Sequence, residues 1–157
     1  MDDGGSAEIG LEFSFEIRAK IAVPLDGGPG RDGHRRIIPI TGGTVSGPGL
    51  SGRVVPGGAD YERVRPDGSS IVEAHYAIEA DDGTPIYVLN KGLFRAPPEV
   101  IRRLDADEPV GPGAYYFRTA PVFDAPAGHH GWLSDNIFVA TCRFTSTEVS
   151  IRVYVVT

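Results

Sequence analysis

The chain predicts an all-β fold: an antiparallel sheet closed, or nearly closed, into a barrel, with one short helix. Three observations carry this. From Ile9 to Val23 apolar and polar residues alternate, the period of a strand with one face buried. The 21 glycines and 13 prolines, about a fifth of the 157 residues, are spread between apolar runs, as many short strands joined by turns require. A strand as long as the first has to curve, and closing the sheet removes edges that would otherwise pair with other chains. A tightly curved sandwich is the alternative.

The elements follow in order. Residues 1–8 read as a flexible leader and 9–157 as a single domain. In the first strand Ile9, Leu11, Phe13, Phe15, Ile17, Ala19, Ile21 and Val23 share one face, so Phe13, Phe15 and Ile17 are expected to be buried together. Pro24 to Gly33 reads as a loop. His34 to Ser46 is a second strand, broken or bulged near Pro39 and Gly42-Gly43. Tyr61 to Val64 and Ser70 to Asp81 are further strands. Asp82-Gly83 is a two-residue hairpin signal leading into Thr84 to Leu93. That loop sets a register in which Ile78 faces Tyr87, Tyr76 faces Leu89 and His75 faces Asn90. Pro97-Pro98 opens a short helix with Val100, Ile101 and Leu104 on its apolar side. Ala114 to Asp124 is a strand. Ile137 to Phe144 and Glu148 to Val156 form a last hairpin through Thr145-Ser146-Thr147.

Composition excludes several classes. The net charge is −6 and there is no basic stripe, so no nucleic-acid partner is expected. No apolar run approaches the roughly 20 residues of a membrane span, and no membrane partner is expected. The single cysteine, Cys142, makes no internal disulfide, and a cytoplasmic location is expected. Gly47-Pro48-Gly49-Leu50-Ser51-Gly52 matches the dinucleotide fingerprint on paper. That motif needs a helix after its last glycine, and here Arg53-Val54-Val55-Pro56 follows. It reads as a turn or bulge between strands.

Three segments carry a resemblance: GPGLSGRVVPGGADYERVRPDGS (47–69), AHYAIEADDGTPIYVLNKG (74–92) and YYFRTAPVFDAPAGHHGWLSDNIFVA (115–140). Their order and spacing, with the PPEV start of the helix, are similar to a bacterial and fungal family of small proteins known as domain of unknown function 3237. The resemblance covers nearly the whole domain. It implies a β-barrel of the lipocalin-like kind. Members resembling this chain sit in degradative or secondary-metabolic settings, which implies a small organic ligand. The resemblance implies no catalytic residues. The loop at Gly27–Gly33 and the pair His129-His130 look peculiar to this chain.

The residues themselves offer few reaction motifs. The four histidines lack zinc-ligand spacing, and neither H-E-x-x-H nor C-x-x-C occurs, so no metal and no cofactor are expected. Ser134-Asp135-Asn136 lacks a matching S-x-x-K, and the glycines around Ser51 fail G-x-S-x-G. Cys142 alternates with Phe138, Ala140 and Phe144 and reads as a buried, inert thiol. There remains a barrel lined by aromatics with a few polar handles. The candidate catalytic residues are His75 as general acid or base, Arg118 and Asp60; the candidate ligand-binding residues are Tyr87, Asn90 and Trp132. All are expected at one barrel end. Arg118 should meet Asp60, another carboxylate or an anionic ligand group. Tyr87 and Asn90 differ by an odd number, so a regular strand cannot point both inward. The bland reading is that the hairpin's polar face is wet surface.

The expected function is binding of a small organic molecule. The reading carried forward is a cofactor-independent isomerase, cyclase or lyase acting on an apolar or aromatic metabolite. The alternative is a non-catalytic carrier or sensor, and a third reading is a filled barrel that forms a homodimer through its outer sheet.

Overall fold

The computed structural model describes residues 7–157; most of the expected leader, residues 1–6, lies outside them. The strands are β1 (Leu11–Ile21), β2 (Leu25–Gly30), β3 (Gly33–Ser46), β4 (Gly52–Val64), β5 (Ser70–Ala80), β6 (Pro85–Arg95), β7 (Tyr116–Asp124), β8 (Phe138–Phe144) and β9 (Glu148–Val156). They are antiparallel in the order β1-β9-β8-β7-β6-β5-β4-β3-β2, and β1 also pairs with β3. That last pairing closes eight strands into a barrel. β2 lies outside the ring as an extra strand on β3. Among the described residues no helix is long and apolar enough to cross a membrane.

The first strand departs from simple alternation. Its ladder with β9 shifts between Phe13 and Phe15, so Ser14 is an extra residue and the faces exchange there. Phe15 and Ile17 are fully buried inside. Phe13 stands outside, 5.8 Å from the Tyr154 ring with the Arg152 guanidinium 4.3 Å from its centroid. The expectation that Phe13, Phe15 and Ile17 share one buried face is thus corrected. The cause is visible in the turn Gly47–Ser51. The Gly49 N–H donates to the Ser14 carbonyl at 2.9 Å, and a Cβ on Gly47 would lie 2.5 Å from the Phe15 Cα. These glycines serve close packing in a strand-to-strand turn, as expected.

Pro24 to Gly33 was expected to be a loop, but Leu25–Gly30 pairs with β3, Leu25 facing Ile37 and Asp26 facing Arg36. β3 runs past the point where β1 stops pairing with it, and its free edge recruits a segment whose own composition favours turns.

The β5–β6 hairpin carries the most consequential correction. The Gly83 N–H donates to the Ala80 carbonyl, and Ala80 N–H to the Thr84 carbonyl. Asp81-Asp82-Gly83 is therefore a three-residue loop, with Gly83 at φ +86° closing it. Ile78 faces Ile86, Tyr76 faces Val88 and Ala74 faces Asn90, one residue away from the expected register. A one-residue slip turns every β6 side chain to the other face.

One end of the barrel is sealed. Leu50 and Leu133 plug it, Leu133 from a 3-10 turn at Gly131–Ser134, and Phe15, Phe123 and Phe138 interlock above them with ring centroids 5.0–6.4 Å apart. At the other end helix α1 (Pro98–Asp105) presses Val100 onto the core. It begins at Pro97-Pro98, where a missing N–H costs nothing. Beneath it Phe94, Tyr115, Phe117 and Phe144 form a second aromatic cluster, with centroids 5.6–6.0 Å apart.

Candidate functional site

The helix covers only part of its end. On the β3–β4–β5 side the inward-facing residues Arg36, Ile38, Asp60, Glu62 and Ala74 are all partly reached by solvent. Ala74, a small inward-pointing residue at the middle of a central strand, packs against the core yet is only partly buried. The ladders set Asp60, Ala74, Asn90 and Pro121 in one row across β4, β5, β6 and β7. A carboxyl and a carboxamide therefore flank an alanine. In the neighbouring row Val72 pairs with Gly92, and Gly92 with Thr119. Gly92 has no substitute there, because a Cβ would lie 2.2 Å from the Arg118 carbonyl oxygen.

The polar groups turned into this space are unusual for a barrel core. Asn90 is 4 % exposed and its Oδ1 has no hydrogen-bond partner; the buried Tyr76 hydroxyl, one inward position along β5 from Ala74, has none either. Each costs free energy while unpaired, on the order of 1–3 kcal/mol. Asp60 accepts a 3.0 Å hydrogen bond from the Glu73 backbone N–H. Burial pushes its carboxyl up to about 6; the Glu73 bond opposes the rise and the nearby Glu62 charge adds to it. Glu62 is also raised by burial, held back by Arg36, whose Nη1 donates to Glu62 Oε1 at 3.1 Å. Across the lumen Thr119 Oγ1 and Cys142 Sγ lie 3.6 Å apart, and burial pushes the thiol up to about 12, which agrees with an inert cysteine.

Of the candidates read from the sequence, the structure brings Asp60 and Asn90 together in the lumen. The others lie elsewhere. His75 is exposed on the outer wall, with Nε2 3.1 Å from Glu73 and its ring 5.9 Å from Tyr61. Tyr87 is 67 % exposed on the same wall. Both line an open outer groove of about 610 Å³ with Leu89 and Val122. Neither holds a buried unpaired polar atom. Arg118 also points outward; its Nη1 donates to the Phe117 carbonyl and its guanidinium stacks 5.5 Å from the Tyr116 ring, so it meets neither Asp60 nor another carboxylate. Trp132 packs on Phe138 at the sealed end, opposite the accessible one. The physical reason is shared: His75, Tyr87 and Arg118 have the wrong strand parity, and the β7–β8 connection carrying Trp132 leaves the other end of the barrel. The odd spacing of Tyr87 and Asn90 resolves with Asn90 inside.

Tyr76, Glu62 and Arg36 were not among the candidates. Strand parity counted from a three-residue Asp81-Asp82-Gly83 loop would have put Tyr76 and Asn90 on one face. His130 is tied to Asp82 at 2.8 Å, joining the hairpin tip to the β7–β8 loop. Among the described residues no group of three or more histidines, cysteines or carboxylates is placed to hold a metal.

Comparisons with known proteins agree with this architecture. A UPF0311 protein of Rhodopseudomonas palustris is 41% identical over 143 residues, covering 91% of this chain and 94% of that protein. A crystal structure from that organism, described as a conserved protein of unknown function, superposes with a TM-score of 0.90 at 39% identity, covering 98% of this chain and 100% of that one. A β-barrel-like protein of Acinetobacter baumannii superposes at 0.86 with 32% identity, covering 98% and 99% of the two chains. A structure described as an enzyme from Penicillium herquei superposes at 0.68 over 95% of this chain and 98% of that one; at 21% identity it shows the fold alone. The family model described as "Protein of unknown function (DUF3237)" matches residues 9–156, and the chain belongs to that family.

Proposed function

We propose that the accessible half of the lumen binds a small, largely apolar or aromatic organic molecule, and that Asp60 moves a proton on it. The observation that carries this is the partly buried Ala74 flanked by Asp60 and Asn90, with a carboxyl tuned to about 6 and two buried polar groups left unpartnered. A group that titrates near neutrality exchanges protons in both directions under ordinary conditions. Asn90 and Tyr76 would orient the ligand by hydrogen bonds, and Phe94 and Phe117 supply an aromatic wall. Isomerisation, cyclisation and elimination each turn on proton transfer at a held carbon or oxygen, so cofactor-independent chemistry of that kind is the reading favoured here. The Penicillium neighbour's description as an enzyme is compatible with it. A carrier or sensor is the second reading, favoured by the small number of polar groups in the lumen.

Deuterium incorporation separates the two. Resorcinol incubated with the protein in deuterated buffer is expected to exchange ring hydrogens faster than in buffer alone, and Asp60→Asn should remove the acceleration. Resorcinol that shifts the Ala74 methyl resonance without accelerated exchange supports the carrier. Resorcinol that leaves Ala74 and Asn90 unmoved overturns the lumen as the site.

A further inference from the structure

Resting on the lumen reading above, we infer that the ligand is an uncharged hydrogen-bond donor, a molecule with a phenol, enol or alcohol hydroxyl, and that the lumen rejects anions. The orphaned Asn90 Oδ1 is an acceptor, buried and without a partner. The second acceptor is Asp60, whose Oδ1 takes the Glu73 N–H. Asn90 Oδ1 lacks a donor, and a hydroxyl lying over Ala74 would supply one.

The charge arrangement points the same way. The register turns two carboxyls, Asp60 and Glu62, into the lumen against one guanidinium, Arg36, and that guanidinium is held by Glu62 at 3.1 Å. Several other strand cations have contacts of their own on the outer wall. Arg18 and Arg152 meet Glu16, Arg53 meets Glu79, Lys91 meets Glu73, and Arg118 stacks on Tyr116. An anionic ligand would enter a partly desolvated space that already holds excess negative charge, and would find no uncommitted cation among these residues. A neutral hydroxyl meets no such penalty. The same groups argue against a purely hydrocarbon ligand, which would leave Asn90 and Tyr76 unpaired in a water-excluded pocket.

Three single-ring probes of similar size test this: phenol, anisole and benzoate, titrated at pH 7.5 into isotope-labelled protein. The Ala74 methyl and Asn90 side-chain amide resonances report the site. Phenol is expected to shift both signals, anisole to bind about tenfold more weakly because it cannot donate, and benzoate to leave both signals still. Asn90→Leu should erase the preference for phenol over anisole; a melting curve checks that it folds, and Asn90→Ala repeats the measurement in a smaller side chain. Benzoate or anisole shifting the two signals with an affinity equal to that of phenol overturns the inference and leaves the lumen as the site. If none of the three probes moves either signal, the lumen reading falls, and this inference with it.

Discussion

The two ends of this barrel both carry an aromatic cluster, but only one of them also turns polar and charged side chains inward. At the sealed end the inward residues are large and apolar. Phe15, Ile17, Ile78, Ile86, Phe138 and Val153 are at most 1 % exposed. In the other half, strands β3 to β6 turn in Arg36, Asp60, Glu62, Ala74 and Asn90, which are small, polar or charged, beside the aromatic cluster beneath the helix. Burial of large apolar side chains is what stabilises a fold of this size. Unpaired polar groups in a core work against stability. The comparison teaches that aromatic packing serves both ends, while polar groups that work against stability are gathered on the β3–β6 side of the helix-covered one.

The largest expected effect sharpens the sealed side. Phe15→Ala deletes a fully buried ring that touches Phe123 and Phe138, and should cost about 3–5 kcal/mol in a urea melt. A loss below about 1 kcal/mol would mean that this end is not tightly packed.

Asp60→Asn probes the other side through pH. The folded carboxyl keeps its proton to about 6, whereas the unfolded one releases it near 3.8. Its contribution therefore favours the folded state fully below pH 4 and is lost as pH rises through 6. The variant should gain roughly 2–3 kcal/mol on the parent at pH 8 relative to pH 4. Equal stability differences at both pH values would break the contrast between the ends.

Asn90→Leu replaces an orphaned carboxamide by an apolar group of similar size, and should leave stability within about 1 kcal/mol of the parent or raise it. A severe loss would show that Asn90 is a structural residue with a partner. The smallest effect concerns the hairpin tip. Hydrogen bonds from Thr84, and then from His130, hold Asp82 down at about 2, so its contribution is present above about 4 and fades as pH falls toward 2. His130→Gln should lower the melting temperature slightly at neutral pH, and the difference from the parent should fade as pH falls toward 2.

Much of this was legible in the sequence, and the failures share a cause. Period-two alternation in β1 and the glycine and proline spacing were enough for an antiparallel barrel. The Pro97-Pro98 helix and the last hairpin were also readable, because local chemistry fixes them. What the sequence hid was parity. Ser14 and Gly83 each add one residue to a strand or a loop, and each addition exchanges the faces of everything beyond it. Ser14 sent Phe13 outside. The three-residue loop put Asn90 and Tyr76 on the inner face and His75 and Tyr87 on the outer one. Asp60 was named from its place in the resembling segment beside the expected strand start at Tyr61, but its lack of an ion pair depends on Arg36 choosing Glu62, a contact between residues 26 positions apart. The strand β2 was hidden for a similar reason, since its partner edge on β3 supplies what its own glycines and prolines do not.

The most direct test of the contrast between the ends is a carbon-detected NMR titration of the Asp60 side-chain carboxyl in the folded protein. A midpoint near 6 is expected, set by burial in the accessible half of the lumen without a cation of its own. A midpoint at or below the ordinary value of 3.8 would show a solvated or ion-paired carboxyl, and would contradict the assignment of this end as the functional one.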